Sequence, residues 1–239
     1  MIGSGTIVNS IGVIAGGIIG LLLKGGLKKR YQEILMHALG LSVIFIGISG
    51  VLQGMFLVSE SGIETTGTMK LVISLVLGAV LGEFININKH TETFGQWLKK
   101  KFGSAEDNNF VEGFVSTSLT ICIGAMAIVG SLQDGLTGDA SMLYVKAALD
   151  SVTVMVFASI FGRGVIFSAI PLFLFQGSIT LLASFVQPFM TEAAISHLSF
   201  VGSALIFCVG TNLMFKTKIK VANLLPSLII IVFIHTLPI

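Results

Sequence analysis

Ser131-Leu-Gln-Asp-Gly-Leu-Thr-Gly-Asp139 is a polar turn between two apolar runs, the first opening at Phe110 and the second closing at Gly162. The second run carries a carboxylate, Asp150, about eight residues inside its hydrophobic stretch, hence roughly 12 Å along a helix. An ionised carboxylate at that depth in hydrocarbon costs about 2.5 to 3.5 kcal/mol on insertion scales, so the chain has to compensate it. Lys146 lies one helical turn earlier on the same face, and Thr153 and Phe157 continue that face. Two readings follow: a self-neutralised lysine–aspartate pair, or a water-lined ion or proton site.

The composition places these runs in lipid. Across 239 residues, 54% are hydrophobic and 11% charged, and the mean hydropathy is +0.96; soluble domains carry roughly a quarter charged residues. Spanning about 30 Å of hydrocarbon takes roughly 20 apolar residues. The expected spans are about 3–23, 34–58, 69–88, 110–132, 142–161, 165–186, 193–215 and 221–237, eight in all. Alternating strands of about 10 residues are absent, which excludes a barrel. The fold class is therefore an all-α integral membrane protein, divided in sequence order into a first membrane unit (1–88), a basic linker (89–109) and a second membrane unit (110–239). No short leader with a cleavage site precedes the first span, so the chain is expected to insert unprocessed.

Each span carries its own signals. The first has Gly12, Gly16 and Gly20 one turn apart, a pattern that admits a second helix at close range, and a single strongly polar side chain, Asn9. The second ends in an acidic loop, Ser59 to Glu64, and the third has Gly78 and Gly82, then Glu83 near its end. Between Lys89 and Gly103, Phe94, Trp97, Leu98 and Phe102 recur at helical spacing beside Lys99, Lys100 and Lys101, as in an interfacial helix on an anionic leaflet. The polar stretch Ser104 to Asn109 separates the halves. The fourth span opens with Ser116, Thr117, Ser118 and Thr120, hydroxyls that can bond their own backbone. In the sixth, Pro171 and Gly177 flank Gln176 near the middle, which points to a kinked or locally broken helix. The seventh has Thr211 and Asn212 near one end, and the eighth has Pro226 in its first turns. Cys122 and Cys208 lie inside apolar runs as small packing residues.

The net charge of +2 conceals an asymmetry. With the amino terminus outside, the inside loops collect Lys24, Lys28, Lys29 and Arg30; Lys89 and Lys99 to Lys101; Arg163; and Lys216, Lys218 and Lys220. These are twelve of the fourteen basic residues, leaving Lys70 and Lys146. Both termini are then extracytoplasmic. This distribution marks topology, and nucleic acid is not an expected partner.

Sliding the sequence against itself by 110 positions aligns Gly3 with Gly113, Ile11 with Ile121, Ala15 with Ala125, Ile18 with Ile128, Gly20 with Gly130, Leu22 with Leu132, Gly25 with Gly135, Ala38 with Ala148, Leu39 with Leu149 and Ser49 with Ser159. Spans 1 and 2 then resemble spans 4 and 5, and with three spans per unit the copies are inverted. Inverted repeats are a transporter signature. The first turn is basic, and the second, with Asp134 and Asp139, is acidic.

Gly-Thr-Ile-Val-Asn9, Ile123-Gly-Ala-Met-Ala-Ile-Val-Gly-Ser131, Asp134-Gly-Leu-Thr-Gly-Asp139 and Lys146-Ala-Ala-Leu-Asp150 resemble the DUF554 family of prokaryotic multi-spanning membrane proteins across essentially the whole chain. The resemblance implies a bacterial cytoplasmic (inner) membrane location more firmly than it implies a reaction.

Sequence alone thus leads to a secondary transporter or ion-conducting protein for a small polar or cationic solute. The expected ligands are Asp150 with Lys146, then Gln176, Asn9, Asn212, Glu83 and Asp134. The alternative is a non-transporting scaffold or sensor whose polar residues fix helix packing. No Gly-x-Ser-x-Gly elbow, His-Glu-x-x-His or phosphate-cradling glycine loop occurs, and His37, His90, His197 and His235 are scattered, so the chain is read as no enzyme and as needing no metal or cofactor. The lipid bilayer is the partner the composition demands, with a homo-oligomer left open.

Overall fold

The computed structural model describes residues 2–24, 29–59, 62–102 and 108–234. Lys28, Gly25, Glu60, the linker residues Ser104 to Asp107, His235 and the expected end of the eighth span at Leu237 lie outside the described residues.

The helices are α1 (Ser4–Lys24), α2 (Lys29–Met55), α3 (Thr68–Ile85), α4 (Ile87–Lys101), α5 (Phe110–Cys122), α6 (Ala125–Thr137), α7 (Ser141–Phe161), α8 (Ala169–Leu181), α9 (Ala183–Val186), α10 (Glu192–Phe215) and α11 (Pro226–Ile234). Turns of 3₁₀ helix precede α8 (Arg163–Ser168) and α11 (Val221–Leu224). The protein is of the all-α membrane class. Six helices are long and apolar enough to cross a bilayer, α5 and α6 form a pair bent by 61°, and Val221–Ile234 is a shorter apolar segment.

Local structure departs from expectation at four places. The expected continuous fourth span is broken at Ile123–Gly124, where a glycine weakens the helix and a side chain takes over a freed carbonyl, as described below. The turn expected at Ser131 to Asp139 is shorter, because α6 continues to Thr137 and the chain reverses at Gly138, whose φ of 73° suits glycine. Pro171 lies in the first turn of α8 instead of mid-helix, where its missing N–H leaves no ladder bond unmade. The second span stops at Met55, short of the expected Val58, and the chain continues as β1 (Phe56–Ser59), which pairs antiparallel with β2 (Gly62–Thr65), Phe56 opposite Thr65 and Ser59 opposite Gly62.

Contacts group the chain differently from its sequence order. One compact unit comprises Met1–His37, His90–Cys122 and Met126–Gln187; the other comprises Ala38–Lys89, Ile123–Ala125 and Pro188–Ile239. This differs from the expected division at 88 and 109, because glycine faces join helices distant in sequence.

In the first unit, α1 lies along α7. A Cβ at Gly5 would come within 2.6 Å of the Leu143 side chain and one at Gly12 within 3.2 Å of the Ala147 carbonyl, while at Gly16 and Gly20 it would overlap the carbonyls of Ser151 and Met155. Both sets of numbers ascend together, so the two helices are parallel. The broken pair runs the other way: Gly113 of α5 meets Phe161 at the end of α7, and Gly130 of α6 meets Leu143 at its start. Gly135 abuts the carbonyl of Thr180 near the end of α8, and Gly17 abuts Ile166 just before α8 begins. Helix α4 docks through Gly95 and Leu98 on Phe110 and Phe114, leaving Trp97 half exposed, with Phe94 stacked on it and the Lys101 ammonium 4.8 Å from its ring centre.

In the second unit, α2 and α10 are antiparallel, with Gly40 against Met214, Gly47 against Phe207 and Gly54 against Phe200. Helices α3 and α11 meet at Gly78 with Ser227, and Gly82 abuts the Asn223 carbonyl in the preceding 3₁₀ turn.

The α1–α7 contact yields a direct test. Gly16→Ala forces a methyl into the Ser151 backbone and should cost about 1 to 3 kcal/mol, read as a lowered Tm in detergent. Gly124→Ala, where a Cβ meets nothing within 4 Å, displaces no neighbour and should not lower Tm in this way.

Candidate functional site

The polar residues that the sequence placed on three separate spans meet in the first unit. Lys146 and Asp150 are one turn apart on α7, and the ammonium donates to Asp150 Oδ2 at 2.5 Å. The same ammonium donates to the backbone carbonyl of Ile121 at 2.8 Å. That carbonyl lies in the last turn of α5, where the break denies it the N–H four residues on. A cation at a helix C-terminus also meets the negative end of the helix dipole. The lysine therefore stabilises the carboxylate on one side and the broken helix on the other.

Asn9 completes the group from α1. Its Nδ2 donates to Asp150 Oδ2 at 3.0 Å and to Gln176 Oε1 of α8 at 3.3 Å. Asn9 and Gln176 are fully buried, and Lys146 and Asp150 are each 7% exposed. This is a buried ion pair with two amides and a main-chain carbonyl drawn from four helices, and its formal charge sums to zero. Not every capacity is used: Asn9 Oδ1 and Gln176 Nε2 are buried without a hydrogen-bond partner among the described residues.

The other sequence candidates serve elsewhere. Asp134 of α6 is fully buried, and its two carboxylate oxygens accept the backbone N–H groups of Gly3 and Gly5 at 3.0 Å each, capping the amino end of α1. Beside it, Ser4 Oγ and Tyr144 OH are 3.0 Å apart. Glu83, in the second unit, accepts from Lys220 Nζ and Asn223 Nδ2 at 2.6 Å each, and Asn223 Oδ1 accepts the Asn88 N–H. Asn212 closes the loop after α10, donating to the Ile219 carbonyl and accepting from Thr217 Oγ1 and the Ile219 N–H. Both are tied to their own neighbours and take no part in the Asp150 network. Outside the spans, Asp139 accepts from the Ser141 hydroxyl and backbone N–H, which hold its carboxyl below the usual carboxylate range.

Two components were not identified as site elements from sequence. The Ile121 carbonyl has no side-chain signature, although Gly124 within an apolar run marks the break that frees it. Thr6, Thr117 and Thr180 are buried with hydroxyls that lack partners among the described residues; Thr117 was visible in a hydroxyl-rich stretch, but back-bonding explained it equally well.

The chain matches the family described as "Protein of unknown function (DUF554)" over residues 4–236. It belongs to that family. It is 35% identical over 226 residues to the uncharacterized membrane protein YdfK of Bacillus subtilis (strain 168), a match covering 95% of this chain and 93% of that protein. To the uncharacterized protein YqgA of Escherichia coli (strain K12) it is 27% identical over 230 residues, covering 95% and 93% respectively. No solved structure matches the chain. The family membership thus assigns no activity to the group around Asp150.

The ion pair makes a stability prediction. Asp150→Asn strands the Lys146 ammonium in a buried site and should cost about 3 to 5 kcal/mol, whereas adding Lys146→Met should recover most of that loss. Denaturation in detergent reads both; a double variant no more stable than the single one would show that the Ile121 carbonyl cannot do without the ammonium.

Proposed function

We propose that this protein is a secondary transporter or ion-conducting protein of the bacterial cytoplasmic membrane that handles a small polar or cationic solute, with its intramembrane site around Asp150. The observation that carries the reading is the buried group of Lys146, Asp150, Asn9 and Gln176 beside a helix break. Ionisable residues within spans mark solute or proton pathways far more often than packing contacts, and discontinuous helices whose ends face a charged site are characteristic of secondary transporters.

The directions of the helices support the finer topology. A re-entrant pair would bring both its ends to one end of α7, yet α5 begins beside the end of α7 and α6 meets its start, as a broken crossing does. Counting that pair as one span and Val221–Ile234 as a short one gives eight, so both termini share a side, extracytoplasmic by the distribution of lysine and arginine. Helix α1 and the broken pair, the segments aligned at an offset of 110, run in opposite directions, which supports an inverted repeat. The reading is non-enzymatic.

A second reading has its own support. Lys146 and Asp150 neutralise each other, and Asp134 caps α1, as in a membrane scaffold or sensor held by polar contacts.

Reconstitution separates the two. Vesicles with the wild-type chain should move at least one member of a panel of small polar and cationic solutes several-fold faster than empty vesicles, and the Lys146→Met/Asp150→Asn double variant should fold yet fall to the empty-vesicle rate. Flux equal to that of empty vesicles for the whole panel favours the scaffold.

The topology is tested separately. A cysteine introduced as Ser104→Cys in a chain lacking Cys122 and Cys208 should be closed to a membrane-impermeant maleimide in intact cells and react only after lysis. Labelling from outside would reverse the orientation.

A further inference from the structure

Buried hydroxyls in this protein divide cleanly into two groups. Among the described residues, all eight buried serines, Ser10, Ser74, Ser118, Ser131, Ser159, Ser168, Ser203 and Ser227, donate to a backbone carbonyl three or four residues earlier. That is the ordinary way for a hydroxyl to satisfy itself within a helix in lipid. The three buried threonines, Thr6, Thr117 and Thr180, do not: their hydroxyls have no partner among the described residues. They belong to α1, α5 and α8 of one unit, together with the unpartnered Asn9 Oδ1 and Gln176 Nε2.

Four of the five are placed together, and the fifth, Thr117, is on α5, which packs against both α7 and α8. Thr6 and Asn9 are three residues apart on α1, and Gln176 and Thr180 are four apart on α8, so each pair shares a helix face. The two faces meet, since Asn9 bonds Gln176 and a Cβ at Gly177 would come 3.9 Å from the Thr6 methyl. A buried polar group without a partner is costly, and five in one unit call for something that satisfies them. What they offer is mixed and uncharged: Gln176 Nε2 donates, Asn9 Oδ1 accepts, and each hydroxyl can do either. The position between Asp150 and the Ile121 carbonyl, which would suit a small cation, is taken by the Lys146 ammonium.

We propose that Thr6, Asn9, Thr117, Gln176 and Thr180 form the solute-binding face and that the solute is an uncharged molecule bearing both hydrogen-bond donors and acceptors, of the polyol or amide class. The proposal rests on the transport reading and narrows it: Lys146 stands in for a cation, and the carboxylate holds Asn9 in position instead of binding the cargo. The five atoms are closed off from solvent in this structure, so solute enters as α1 and α8 part.

Two measurements on the full-length protein test it. Replacing the three hydroxyls by methyl groups of nearly equal size, Thr6→Val with Thr117→Val and Thr180→Val, should raise Tm in detergent by about 3 °C or more, because costly unpartnered groups are removed. Ser118→Ala, which deletes a hydroxyl that has its partner, should not raise it. In reconstituted vesicles, osmotic swelling in glycerol or urea should run several-fold above empty vesicles for the wild type and for Ser118→Ala. It should return to the empty-vesicle rate in the triple variant, while sodium, potassium and choline fluxes stay at background throughout. A lowered Tm in the triple variant would show that the hydroxyls have structural partners and would overturn the site. Cation flux without glycerol or urea flux would overturn the solute class and leave the transport reading standing. Vesicles passing none of the probes would remove both.

Discussion

The first unit depends on the exchange made by one ammonium group. Breaking a helix inside hydrocarbon frees carbonyls that no water can satisfy, and a carboxylate in the same medium needs a counter-charge. Lys146 meets both demands, donating to the Ile121 carbonyl and to Asp150. Each supplies the other with a partner: without the break the ammonium would lack its second acceptor, and without the lysine the Ile121 carbonyl would lose its donor. The bend between α5 and α6 and the buried carboxylate are therefore two halves of one arrangement.

That arrangement requires close helix approach, which the glycines of α1 supply. Asparagine has a short side chain, so Asn9 reaches Asp150 only because Gly5, Gly12, Gly16 and Gly20 let the α1 backbone rest against α7. At its amino end the same helix is fixed by Asp134, whose two oxygens take the N–H groups of Gly3 and Gly5. A helix pinned at one end and packed without side chains along its length positions a polar group accurately.

The second unit uses the same means for a different result. Glycines on α2, α3 and α10 bring backbones together, and the polar residues Glu83, Asn212 and Asn223 close short circuits at helix ends where water can assist. Their hydrogen bonds are complete within a few neighbouring residues, which marks them as fastenings. The amides and threonines of the first unit differ in keeping polar atoms without a partner among the described residues.

Periodicity and composition were enough to read the helical membrane class, the packing role of the α1 glycines and the amphipathic character of α4, and to offer the pairing of Lys146 with Asp150 as one of two readings, since each follows from residues a turn or two apart along one helix. The sequence also singled out Asn9 and Gln176, because amides are conspicuous in apolar runs. It could not say that they touch, nor that Glu83, Asn212 and Asp134 are engaged elsewhere, since those facts depend on which helices become neighbours. Tertiary structure alone decided the break at Ile123–Gly124, where a weak helix point coincides with a distant ammonium that takes the carbonyl. It alone divided the buried serines from the buried threonines: a hydroxyl's capacity is written in the chain, but whether that capacity is spent is settled by what packs against it.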